Sequence, residues 1–121
     1  MAHLPAGAGT VELFSGTGAL QWSGKPLQDA KVVLPIEGTT DAIVLIDWGA
    51  FRGGSFQNLL RVRANGSVVW RAALPTGQVN GDAYVAVRWG PEAQLIANTW
   101  STNLVRLDLE SGRILDSIFT K

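Results

Sequence analysis

The chain has no cysteine and only one histidine and one methionine among 121 residues. Lacking cysteine, it has no disulfide, no thiolate nucleophile and no cysteine-bound zinc, a composition that suits a reducing compartment. The single histidine, His3, stands at a chain end, where order is poorest. Triads that pair a serine or cysteine with histidine therefore find no base in the body of the chain.

Charge of one sign is also missing. Ten basic and ten acidic residues give a formal net charge of zero, with three basic and five acidic in residues 1–60 and seven and five in residues 61–121. No basic stripe is available to release counterions from a phosphate backbone, which argues against nucleic acid as a partner. Long apolar runs are absent too. AIVLI, from Ala42 to Ile46, is the longest, far short of a membrane span. The opening residues, MAHLPAGAGTVELF, show neither the basic start nor the apolar stretch of a secretion signal. A cytoplasmic chain without a membrane partner is expected. Helical periodicity is the last absence, since no long window carries an apolar stripe at a spacing of 3–4 residues.

What remains is short apolar segments separated by turn residues. Glycine occurs fourteen times and proline five times, while hydrophobic residues make up 46% and charged residues 17%. This is the composition of a folded domain of many strands, not of a disordered chain. Its length predicts a single domain, residues 1–121, with enough buried surface to fold without staples.

The strongest signal is internal repetition. Asn58 to Trp70, NLLRVRANGSVVW, aligns with Asn103 to Leu115, NLVRLDLESGRIL, matching Arg61 to Arg106 and Gly66 to Gly112. Val11 to Trp22, VELFSGTGALQW, places Gly18 and Trp22 where Gly66 and Trp70 fall. Each copy has a strand of alternating character, a turn at a glycine and a second strand, which predicts a hairpin. AIVLIDW and AQLIANTW precede two of the copies, and KVVLPI and AYVAVRW precede those in turn. A second register, matching DAIVLIDWG to DAYVAVRWG, is also open. The first is preferred because it yields two complete four-stranded units, about 31–74 and 82–120, after a leading half unit at 11–23. AIVLI, apolar on both faces, is expected at the centre of its sheet.

The stretch LDLESGRIL (Leu107 to Leu115) follows the pattern Leu-Asp-x-x-(Ser/Thr)-Gly-x-(Ile/Val), and VRANGSVVW (Val62 to Trp70) is its matching stretch in the first unit. In this the chain resembles blades of β-propellers of the quinoprotein-like, beta-barrel-assembly-lipoprotein type. The resemblance implies four-stranded antiparallel blades. Propellers close with at least about four blades, and this chain supplies roughly two and a half, so closure is expected through oligomerisation or as a compact sandwich or barrel. The expected fold class is all-β, with about ten short antiparallel strands.

Candidate sites are few. Paired carboxylates could serve a hydrolase, with Asp47 beside Asp41, Asp82 or Glu92, although a carboxylate ending a strand more simply bonds a turn or an arginine. Gly16-Thr17-Gly18 has Gln21 where a phosphate fingerprint needs a third glycine, and no helix follows. Asp108 to Gly112 lacks the alternating oxygens of a calcium loop. Asn65-Gly66 reads as a hairpin turn rather than a glycosylation site. Arg61, Arg63, Arg71, Arg88 and Arg106 read as a solvated ladder that pairs with Asp108 and Glu12.

The five tryptophans recur near strand ends and read mostly as packing residues. Trp100 is the expected exception, set in the polar run Asn98 to Asn103. The segment Phe51-Arg52-Gly53-Gly54-Ser55-Phe56 lengthens a loop that is short in the second unit. Loops on rigid scaffolds often carry function. The candidate interaction surface is therefore Phe51, Arg52, Phe56, Asn98, Trp100 and Asn103. The sequence nominates no catalytic residue, metal ligand or cofactor. It points to a non-catalytic module binding a protein partner or its own copies, as aromatic and arginine anchors do. A small-ligand or carbohydrate site at Trp100 and Asn98 is the alternative.

Overall fold

The computed structural model describes residues 11–14, 18, 20–24, 30–47, 57–75 and 82–119. Among these residues ten strands form three antiparallel sheets, with no closed barrel. A hairpin joins β1 (Val11–Phe14) to β2 (Leu20–Gly24). The first four-stranded sheet runs in chain order through β3 (Ala30–Pro35), β4 (Ala42–Ile46), β5 (Leu59–Val62) and β6 (Val68–Arg71). The second repeats that order with β7 (Tyr84–Trp89), β8 (Leu95–Thr99), β9 (Asn103–Leu107) and β10 (Ile114–Phe119). β4 thus corresponds to β8 and β5 to β9, which is the preferred register of the repeat. Among the described residues no helix is long and apolar enough to cross a membrane.

Period-two patterning decides which face each residue takes. Ile43, Leu45 and Leu59 join Tyr84, Leu95, Val105 and Leu107 in one core between the two four-stranded sheets. Val44, Leu60 and Val62 cluster on the opposite face of the first sheet. On that face the β1–β2 hairpin packs Leu13 and Trp22 against Ala42 and Val33. The first sheet is therefore covered on both sides, and Ala42, Ile43, Val44 and Leu45 are all buried, as their unbroken apolar run requires.

The turns obey backbone chemistry. In the β5–β6 turn the Gly66 N–H donates to the Arg63 carbonyl, the Arg63 N–H donates to the Ser67 carbonyl, and Gly66 has a φ of +92°. Asn65 does not take a positive φ, so the turn is the three-residue kind closed by a left-handed glycine rather than a two-residue Asn-Gly turn. In the longer β9–β10 turn Gly112, at a φ of +75°, donates to the Asp108 carbonyl. Asp108 also receives the Ser111 N–H and hydroxyl, and these bonds, led by the hydroxyl, hold its pKa below the ordinary value. The β7–β8 turn is different: Glu92 and Ala93 take left-handed φ values of 57° and 58° without glycine, at about 1–2 kcal/mol each.

Candidate interaction surface

Two sets of polar side chains lock the sheets together. Asn58, fully buried between β4 and β5, donates its amide to the carbonyls of Ile46 at 2.9 Å and Tyr84 at 2.7 Å. Its Oδ1 accepts the Tyr84 N–H at 2.9 Å. One side chain so imitates a strand's donor and acceptor, and it ties the first sheet to the first strand of the second. Tyr84 in turn donates its hydroxyl to the Ala73 carbonyl at 2.6 Å. Burial, with a contribution from Asp82, pushes that hydroxyl's pKa above its ordinary range.

Arg61 forms the second lock. The sequence places it on a solvated face, and the structure corrects this: it is 8% exposed and faces the second unit. Its guanidinium contacts Asp41 at 2.9 Å and donates to the Leu109 carbonyl at 3.0 Å. Glu110 approaches the same group at 3.4 Å. The Trp70 indole N–H donates to that Leu109 carbonyl as well, at 2.9 Å. Arg61 and Trp70, neighbours across the β5–β6 ladder, thus clasp the β9–β10 turn. Arg106, the repeat equivalent of Arg61, sits on the open face of the second sheet and pairs there with Asp116 at 2.8 Å. The ladder partners expected for it, Asp108 and Glu12, are not the ones it takes.

The polar run nominated from sequence divides in two. Asp82, buried, accepts the Ser101 N–H at 3.1 Å and the Ser101 hydroxyl at 3.0 Å. Because that proton goes to Asp82, Thr99 is the donor in the 3.0 Å Thr99–Ser101 hydroxyl contact. Thr99 Oγ1 then accepts the Asn103 N–H, and the Asn103 amide reaches the Ser101 oxygen at 3.1 Å. Asn103 is therefore part of a structural network that fixes the β8–β9 turn. Asn98 lies on the open face of the second sheet, where its Oδ1 accepts from Arg88 at 3.2 Å.

That turn displays Trp100, which is 61% exposed. Asn103 pairs with Phe119 across β9 and β10, so the turn and the end of β10 share one end of the sheet. Phe119 is 65% exposed and Ile118 58%. Ile118, Leu104 and Asn98 form one row across β10, β9 and β8. β10 ends the strand order, leaving its outer edge unpaired among the described residues. Sequence reasoning found Trp100 and missed Ile118 and Phe119. The apolar residues of Ile114 to Phe119 are those of any core strand, and only a covering sheet, or its absence, distinguishes them.

The remaining candidates separate. Trp22 and Trp70 are buried and Trp89 half-buried, while Trp48, Phe51, Arg52 and Phe56 lie outside the described residues. The carboxylates considered for hydrolysis occupy different settings. Asp41 pairs with Arg61, Asp82 holds the β8–β9 turn, and Asp47 and Glu92 are exposed after β4 and in the β7–β8 turn.

Fold and site together define an all-β domain of two stacked four-stranded meanders with a hairpin on the outer face of the first. The chain belongs to the family described as a domain of unknown function (DUF7957), whose model matches residues 27–119. That match spans both four-stranded sheets and leaves the β1–β2 hairpin outside it. No curated protein matches the chain.

Proposed function

We propose that this domain is a non-catalytic interaction module that meets a protein partner, or another copy of itself, through the exposed end of the second sheet. The observation that carries the reading is that Trp100, Ile118 and Phe119, each more than half exposed, lie at the same end of the second sheet, where β10 ends the strand order. Aromatic anchors of this kind are enriched in interface cores. An unprotected edge strand offers backbone hydrogen bonds to an added strand. The network of Asp82, Ser101, Thr99 and Asn103 holds the turn that presents Trp100, so the anchor is displayed on a rigid support.

The test compares the parent chain with a Trp100→Ala, Phe119→Ala double variant, after circular dichroism has established that both are folded. Native mass by light scattering reads self-association, and quantitative co-purification from native extract reads foreign partners. Loss of either signal supports the edge surface. Unchanged values in both would reject it. A parallel Phe51→Ala, Phe56→Ala variant distinguishes the long loop from the β10 edge, because only the surface in use responds.

A further inference from the structure

The opposite end of the stack carries a separate feature. Between the β3–β4 and β7–β8 turns lies a cleft of about 350 Å³, whose lining includes Pro35, Ile36, Glu37, Trp89 and Leu109. Pro35, Ile36, Glu37 and Trp89 also line an adjoining recess of about 460 Å³ that reaches Gly38 and Thr39. These sizes fall within the range of ligand clefts, about 300–1,000 Å³. We infer that this cleft accepts a cationic side chain, an arginine or lysine presented by a partner peptide.

Charge and shape agree on that occupant. Trp89 and the apolar lining residues supply an aromatic group to meet a cation and a surface for the aliphatic stem that carries it. Glu37 lines both recesses, and Glu92 sits in the β7–β8 turn beside Ala93, a lining residue. Neither glutamate forms an ion pair among the described residues. Among those same residues, no basic side chain lines either recess. Arg61, whose guanidinium binds the Leu109 carbonyl, is committed to Asp41 and Glu110. Arg113, on the far arm of the β9–β10 turn, acts on Asp108. Among the described residues the cleft therefore pairs an aromatic lining residue with a glutamate that has no ion-pair partner, and a second such glutamate stands next to the lining. It is separate from the β10 edge surface, because β8–β9 and β7–β8 turn at opposite ends of the sheet.

The experiment titrates the isotope-labelled protein by NMR with N-acetyl-arginine methylamide, its uncharged citrulline counterpart, and free L-arginine. The Trp89 indole resonance is identified by its loss in Trp89→Phe. The capped arginine is expected to shift Trp89, Gly90 and Leu109 saturably in the millimolar range. The citrulline probe should bind about threefold to fivefold more weakly. Glu37→Gln should remove that difference by weakening only the arginine probe. Free arginine, whose carboxylate meets Glu37 and Glu92, should bind no better than the capped form. Equal affinity of the arginine and citrulline probes would overturn the charge assignment, and tighter binding of free arginine would point to a metabolite site instead. No shift at Trp89 with any probe would remove the cleft as a binding site. The resonances of Ile118 and Phe119 report separately on the edge surface, so failure of one reading leaves the other legible.

Discussion

The indole of Trp70 occupies the space a side chain would need at Gly112. A Cβ placed there would come within 2.4 Å of the ring, and the glycine already holds a φ of +75°. The turn of one sheet is thereby seated on the outer strand of the other.

Gly112→Ala meets both obstacles, since an L-residue is strained in the left-handed region and the ring cannot retreat from the core. A loss above about 3 kcal/mol is expected in urea denaturation. Gly38, at a φ of +82° with open space for 4 Å around the point a Cβ would occupy, isolates the backbone cost. Gly38→Ala should lose only about 1 kcal/mol. Equal losses at the two sites would show that Trp70 is not held against the turn.

Asn58→Ala takes the side-chain partner from the buried N–H and carbonyl of Tyr84 and from the Ile46 carbonyl. Equilibrium unfolding should register a loss of about 3–5 kcal/mol. Its repeat equivalent Asn103 gives one side-chain bond, to Ser101, and Asn103→Ala should cost about 1 kcal/mol. The ratio between the two variants is the informative quantity.

The two matched arginines should differ in the same sense. Arg61→Ala strands Asp41 in a site where its side chain is 16% exposed, and should destabilise by about 3 kcal/mol. Arg61→Lys is expected to recover little, because an ammonium does not reproduce the fork that spans Asp41 and Leu109. Arg106→Ala removes a pair whose side chains are 38% and 53% exposed, worth less than about 1 kcal/mol. Thermal melts of the three variants under one buffer decide this.

Tyr84 is the only tyrosine in the chain, so its ionisation can be followed directly by ultraviolet absorbance. Its folded pKa is raised, chiefly by burial. The unfolded chain therefore releases the proton first, at about pH 10. The stability this group contributes is complete below that pH and is lost as pH rises through the alkaline range. Phenolate absorbance should appear together with unfolding, and Tyr84→Phe should flatten that alkaline limb. Phenolate formation well before loss of folded signal would contradict the buried hydroxyl.

Much of the architecture was legible in the residues. Matching Asn58 and Arg61 with Asn103 and Arg106 placed the strands, and the unbroken run of Ala42 to Ile46 marked a strand covered on both faces. Glycine positions located the hairpins, since left-handed φ is a local demand. The candidate surface was less legible. Trp100 stood out because it interrupts a polar run. Asn103 looked like surface for the same reason, although its hydrogen bonds go to Thr99 and Ser101.

The sequence by itself determined the strand count, the two-unit repeat and the faces that must be apolar, because period-two alternation and turn chemistry act over neighbouring residues. Tertiary structure alone decided what covers each face. Arg61 and Arg106 occupy the same place in the repeat, yet one is buried because a second sheet stacks on it and the other pairs with Asp116 on an open face. Ile118 and Phe119 have the side chains of core residues and are exposed because no further sheet among the described residues reaches them. Burial depends on neighbours distant in sequence, and no local pattern of residues carries that information.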